Sequence, residues 1–126
     1  MNFSDLNIDN SWSLFLDRDG VINEKLPGDY VRSMSQFVFA PGVLQALPVF
    51  ANIFGPIVVV TNQQGIGKQL MKTADLHALH EKMMAEIMTN GGRIDAIYYS
   101  PYLEKENHPS RKPNVGMGLM AKKRTR

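Results

Sequence analysis

The chain contains no cysteine. That absence excludes a disulfide scaffold, a cysteine nucleophile, an iron–sulfur cluster and any thiolate zinc site. No apolar run approaches the roughly 18 residues that a membrane span requires. The opening Met1-Asn2-Phe3-Ser4-Asp5 has no basic n-region of the kind that starts a secretory leader. These absences together lead to the expectation of a cytoplasmic protein with no membrane partner. Acidic residues are also missing from one place: none follows Glu106.

What is present is ordinary globular material. There are 126 residues, 44% of them hydrophobic and 21% charged, which suits a single domain over residues 1–126. The net charge of +2 is unevenly spread. Lys122, Lys123, Arg124 and Arg126 hold four of the 14 basic residues, and the remainder faces 12 acidic ones. The body is therefore mildly acidic, and residues 121–126 are expected to form a disordered basic tail. An acidic body without aromatics beside its basic cluster argues against a nucleic-acid partner.

The chain alternates strand and helix signals. Trp12 to Asp17 is a short apolar run ending in acid, with the length of a strand buried on both faces. Residues 18–40 are rich in Gly, Asp, Ser and Pro and predict a long functional loop with a small hairpin. A helix is expected from Pro41, with Val43, Leu44, Leu47 and Ala51 on one face. Pro48 should kink or shorten it, because proline cannot donate to the carbonyl four residues back. Ile57 to Thr61 is β-branched and continuous, the mark of a central parallel strand. Residues 62–68 follow as a loop in which Gly65 and Gly67 make a flexible turn. Thr73 is placed to cap a helix with Leu76, Leu79, Met83 and Ile87 along one stripe, ended by Gly91 and Gly92. Ile94 to Ser100 predicts a third strand, residues 101–110 a polar loop, and Pro113 a last short helix. The order implies an α/β fold with a parallel sheet and right-handed crossovers.

Ligands of such sheets bind beyond the carboxyl ends of the strands. The residues there are Asp17 and Asp19, then Thr61 and Asn62, then Ser100, with Arg111 and Lys112 a loop later. Two carboxylates, a hydroxyl with an amide, and two cations suit phosphoryl transfer to a carboxylate. One Asp attacks phosphorus while its neighbour, kept protonated by repulsion between the pair, serves the leaving group. His77 and His80, three apart on the helix, are expected to sit on a surface or half-buried face and not on a metal. Lys25 and Arg32 either meet a second phosphate or stay solvated. The run Gly65-Ile66-Gly67-Lys68 is not a nucleotide P-loop, since Asn62 and Gln69 stand where that pattern needs Gly and Ser or Thr.

Three phrases carry a family resemblance: Leu16-Asp17-Arg18-Asp19-Gly20-Val21-Ile22-Asn23, Val60-Thr61-Asn62-Gln63-Gln64-Gly65-Ile66, and Arg111-Lys112-Pro113 followed by Gly116-Met117. In this order they resemble the three leading motifs of the haloacid dehalogenase superfamily. The wording is similar to the small phosphatase branch with histidinol-phosphatase and D,D-heptose 1,7-bisphosphate phosphatase. The resemblance implies a Rossmann-like three-layer sandwich around a parallel sheet. It implies a Mg²⁺-dependent phosphomonoester hydrolase working through an aspartyl-phosphate. Asp17 would be the nucleophile and Asp19 the general acid and base. Arg18, Thr61, Asn62, Gln63, Arg111 and Lys112 would bind phosphate or substrate, and the Asp17 carboxylate with the Asp19 carbonyl would hold the metal. The implied substrate is a small phosphorylated metabolite, first D-glycero-D-manno-heptose 1,7-bisphosphate, whose 7-phosphate would be removed in lipopolysaccharide-precursor synthesis. Histidinol phosphate and a polynucleotide 3′-phosphate are the alternatives.

Two departures from the family pattern set further expectations. The branch often carries a Cys-x-His … Cys-x-Cys zinc loop, and here the matching positions are Ser100, Tyr102, His108 and Ser110. No zinc is therefore expected. The family also has a fourth motif, a strand ending in Asp, which this sequence does not show. The expectations are weak Mg²⁺ binding, absent C-terminal strands and an exposed edge at Leu14 to Leu16. Such an edge should aggregate, form a homodimer or be covered by the N-terminal segment. The rival reading from another class is a truncated, non-catalytic fragment that binds phosphate.

Overall fold

The computed structural model describes residues 7–101. In chain order they form β1 (Leu14–Leu16), α1 (Val43–Ile53), β2 (Ile57–Asn62), α2 (Gln64–Gly67), α3 (Thr73–Thr89) and β3 (Ala96–Ser100). The sheet is wholly parallel in the order β1-β2-β3. Leu16 lies opposite Val59, and Val59 opposite Ile97. Two right-handed crossovers stepping in the same direction put their helices on one face of the sheet. Packing agrees: Leu47 of α1 and Leu76, Leu79, Met83 and Ile87 of α3 form one buried cluster with Val59, against which Leu16, Ile97 and Tyr99 pack. The opposite face carries a smaller cluster around Val58 and Tyr98. The architecture is the expected α/β fold, and the described residues supply the helical layer on one face.

β2 is central because its residues tolerate burial on both sides. Ile57, Val58 and Val59 are fully buried, each contributing on the order of 2 kcal/mol of hydrophobic stabilisation. Among the described residues β1 has one neighbour, so it is an edge strand, with Phe15 exposed. The expected last helix at Pro113, the loop at 102–110 and the tail at 121–126 lie outside the described residues.

Three local expectations change and one is met. α1 starts at Val43, and it continues through Pro48 to Ile53. The proline removes one hydrogen bond but does not shorten the helix, because the apolar side chains around it are held in the core cluster. Thr73 is the first residue of α3 and not its cap. The preceding Lys72 occupies that position, and its backbone N–H donates to Asp75 Oδ2 at 3.1 Å. Residues 64–67 are a helical turn, not an open loop. The hairpin in residues 18–40 is an antiparallel ribbon: Glu24 N–H donates to Val38 O and Ala40 N–H to Ile22 O, both at 2.8 Å, around an Asn23–Phe39 bridge.

Gly92 ends α3 under tight constraint. A Cβ there would stand 2.9 Å from Leu47 Cβ and 3.0 Å from Ile87 Cγ2. Both contacts are in the core, so neither neighbour can swing aside. Gly92→Ala is expected to destabilise the fold by about 1–3 kcal/mol, the usual cost of overpacking. Urea denaturation measures it, and an unchanged midpoint would show that the α1–α3 contact is looser than described.

Candidate active site

The carboxyl ends of β1 and β2 open into a cavity of about 620 Å³ lined by Asp17, Asp19, Thr61, Asn62 and Gln63. Asp17 directly follows β1, whereas Thr61 and Asn62 close β2, and parallel pairing delivers both ends to one edge. The far wall comes from the ribbon and α2, including Lys25, Tyr30 and Lys68. Lys68 Nζ lies 5.1 Å from the centre of the Tyr30 ring, within cation–π range.

The acidic loop is set by a tight turn. The Arg18 carbonyl accepts the N–H groups of Val21, Ile22 and Asn23 at 3.1, 2.8 and 3.1 Å. Gly20 sits at φ 88°, where a side chain would be strained. The turn leaves Asp17 exposed at the cavity, with its Oδ1 accepting the Arg18 N–H at 2.8 Å. Asp19 is turned inward and clamped. Its Oδ1 accepts from Arg18 Nη2 at 2.8 Å, Arg18 Nε at 3.2 Å and Asn23 Nδ2 at 3.0 Å. Its Oδ2 accepts from Gln63 Nε2 at 2.9 Å. The same Gln63 amide nitrogen donates to Thr61 Oγ1 at 3.0 Å, which joins the two strand ends.

Two sequence expectations are corrected here. Arg18 does not reach the cavity. Its side chain is fully buried and spends its donors on Asp19, on Gln63 Oε1 at 3.3 Å and on His80 Nε2 at 3.1 Å. A buried cation needs such partners. The second correction concerns charge. Burial alone pushes the Asp19 carboxyl up, but the Arg18 guanidinium and the hydrogen bonds from Asn23, Arg18 and Gln63 outweigh it. The net position lies below the usual carboxylate range, so the resting Asp19 is ionised and is not kept protonated by Asp17.

Of the remaining candidates, Lys25 lines the cavity, while Arg32 pairs with Asp29 at 2.7 Å and does not. Gln63 is buried and its side-chain amide bridges the Asp19 carboxylate and the Thr61 hydroxyl. Arg111, Lys112 and His108 lie outside the described residues. His80 is a buried neighbour of Arg18 that spacing could have located, since it falls one turn after Leu76 on the buried stripe of α3. Burial first, and then the Arg18 charge, hold its imidazole down at about 4, against an opposing pull from Asp19. His80 is thus neutral. Because arginine offers only donors, its Nε2 is the bare acceptor and Nδ1 carries the proton.

Among the described residues no three His, Cys, Asp or Glu side chains gather as a metal cage, and no helix is long and apolar enough to cross a membrane. Hard oxygen donors are nevertheless at hand. Mg²⁺ is commonly held by one or two carboxylates together with substrate phosphate and water. The exposed Asp17 carboxylate fits that chemistry. The Asp19 side chain does not, as both of its oxygens are taken by N–H donors.

Known proteins are similar to this chain. The family model of polynucleotide kinase 3 phosphatase matches residues 14–126. A D-glycero-alpha-D-manno-heptose-1,7-bisphosphate 7-phosphatase of Mycobacterium tuberculosis is 42% identical over 108 residues, which is 86% of this chain and 57% of that protein. The D-glycero-beta-D-manno-heptose-1,7-bisphosphate 7-phosphatase of Bordetella bronchiseptica is 36% identical over 104 residues, 82% of this chain and 58% of the relative. A crystal structure of the D,D-heptose 1,7-bisphosphate phosphatase of B. bronchiseptica, complexed with magnesium and phosphate, superposes with a TM-score of 0.81 at 35% identity. It covers 89% of this chain and 62% of that one. The chain therefore spans somewhat more than half the length of the curated relatives it matches.

Proposed function

The chain belongs to the polynucleotide kinase 3 phosphatase family, within the haloacid dehalogenase superfamily, and from that premise we propose that it hydrolyses the 7-phosphate of D-glycero-D-manno-heptose 1,7-bisphosphate. The observation that carries the proposal is the meeting of Asp17, Asp19, Thr61 and Asn62 in one cavity. The family's name refers to a polynucleotide, but relatives at 34–42% identity are sugar bisphosphatases, and two lysines on the cavity wall suit a compact anion. A bisphosphorylated sugar does not cross membranes unaided, which supports reading the protein as a cytoplasmic enzyme.

In the proposed reaction an Asp17 carboxylate oxygen attacks phosphorus, and the bond from phosphorus to the sugar oxygen breaks. The departing oxygen takes a proton from Asp19. Water then attacks the aspartyl-phosphate, Asp19 accepts its proton, and inorganic phosphate leaves as the Asp17 carboxylate is restored. The resting Asp19 is ionised, so the first step needs it protonated. The negative charge of an arriving phosphate raises a neighbouring carboxyl, which loads the acid when substrate is present. Thr61 and Asn62 hold phosphate oxygens, and Arg111 and Lys112 add positive charge from beyond the described residues. The Asp17 carboxylate and Asp19 carbonyl would hold Mg²⁺, weakly until phosphate oxygens complete its shell. The metal supplies charge neutralisation between the two anionic reactants. The chain has no cysteine, so a thiolate zinc site has no part in this reading.

The test is hydrolysis by the full chain, with Mg²⁺, of both anomers of the heptose bisphosphate, of histidinol phosphate and of a 3′-phosphorylated oligonucleotide. The expected product is heptose 1-phosphate, with kcat/KM at least about tenfold above the other substrates. Phosphate binding without hydrolysis of any of them would replace the proposal with a non-catalytic phosphate-binding chain.

A further inference from the structure

We propose that His80 is a positioning residue for this reaction: it accepts the Arg18 Nη1–H and thereby fixes the guanidinium that orients the Asp19 carboxylate. The inference rests on the phosphatase reading and deepens it. α3 contributes nothing to the cavity wall, yet His80 brings it into contact with the acidic loop across 62 residues of sequence. The link is short, with Nη1 to Nε2 at 3.1 Å, and both partners are buried.

The geometry makes the three side chains act as one unit. Arg18 uses Nε and Nη2 on Oδ1 of Asp19, and Nη2 also on Gln63 Oε1. That leaves Nη1 as the edge that sets how far the planar group can rotate. His80 occupies that edge from a rigid helix. Gln63 completes the ring by donating to Oδ2 of Asp19. A guanidinium held on one edge by α3 and on the other by the carboxylate presents Asp19 at a fixed angle to the cavity.

Removing the acceptor should free that angle. In His80→Leu the buried Nη1–H has no partner on α3, and the guanidinium turns toward another acceptor, carrying Oδ1 with it. Proton delivery to the leaving group suffers, but attack by Asp17 does not pass through this network. The effect on formation of the aspartyl-phosphate, read as kcat/KM, should therefore depend on the leaving group, whereas the later attack by water, in which Asp19 takes a proton, is common to all esters. An alkyl phosphate needs the proton, whereas p-nitrophenyl phosphate releases a stable anion with little help.

The experiment compares wild type, His80→Leu and His80→Gln, the last of which keeps an acceptor oxygen. His80→Leu is expected to lose about tenfold or more in kcat/KM on the alkyl ester, the size seen for partners that orient the ligands of a metal site, with little loss of kcat/KM on p-nitrophenyl phosphate. His80→Gln should regain most of the alkyl-ester rate. Equal losses of kcat/KM on both esters, no loss on either, or no rescue by Gln would overturn the proposal. A readout independent of turnover is ¹⁵N NMR of the wild-type imidazole, expected to show Nδ1–H with Nε2 bare. The Gln63 side-chain amide protons should also exchange faster in His80→Leu and not in His80→Gln. If the wild type hydrolyses no ester, the phosphatase reading fails by itself, and a protonated Nε2 or an unaltered Gln63 amide would still remove the positioning role.

Discussion

Replacing Arg18 by methionine is expected to cost about 3 kcal/mol of stability at neutral pH, at the lower end of what loss of one partner from a buried ion pair costs. The guanidinium is fully buried, while its partner Asp19 is 23% exposed, so solvent screens part of the charge left behind. Asn23 and Gln63 continue to donate to that carboxylate, which also limits the loss. The pH dependence gives the cause away. Asp19 is held below its ordinary value of 3.8 in the fold. Its contribution is thus present in full above that value and is lost as the pH falls through the folded position. Without Arg18 the carboxyl rises and this dependence shrinks. Denaturant midpoints for the two proteins should differ most near pH 7 and converge in acid. A gap of equal size at every pH would mean that Arg18 stabilises the fold by packing and not by charge.

The second large effect is on turnover. Asp17→Asn should lower phosphatase activity on the order of 10³-fold or more, as loss of a nucleophile does. The fold should hardly notice. Asp17 is exposed, and an asparagine Oδ1 still accepts the Arg18 N–H that Asp17 now accepts at 2.8 Å. Stability within about 0.5 kcal/mol of wild type is expected for such a surface change. Thermal unfolding beside initial rates separates the two quantities, and an active Asp17→Asn would exclude the attack on phosphorus assigned to this carboxylate.

Different parts of this molecule were legible in the sequence for different reasons. β2 announces itself because Ile57 to Val60 cannot sit comfortably anywhere but between two layers. α3 is equally plain, since Leu76, Leu79, Met83 and Ile87 recur at helical spacing and all are buried. The meeting of Asp17 with Thr61 and Asn62 follows from those two facts, because parallel strands end on the same side. The short helix α2 is not legible, as Gly65-Ile66-Gly67 has poor helix propensity. Tertiary contact decides it: Gly65 lies against the Tyr30 side chain, where an added Cβ would be 3.5 Å away, and its carbonyl accepts the Leu70 N–H.

The charge state of the site was hidden for a related reason. Arginine is seldom fully buried, and nothing local to Arg18 says that it turns inward. Its partners His80 and Gln63 are 62 and 45 residues away. Sequence chemistry alone therefore weighs Asp19 against its neighbour Asp17, when its protonation is governed by burial, Arg18, Asn23 and Gln63. His80 itself looked like one of two helical histidines. Only its companion His77 takes the exposed side, 3.5 Å from the Tyr99 hydroxyl.

The most direct measurement is to stop the full chain with acid during turnover of the heptose bisphosphate with Mg²⁺ and to weigh its peptides. A covalent HPO₃ increment on the peptide bearing Asp17, localised to that side chain and absent from Asp17→Asn, is the predicted result. Rapid release of phosphate with Asp17 never modified, or with the increment on another residue, would contradict it.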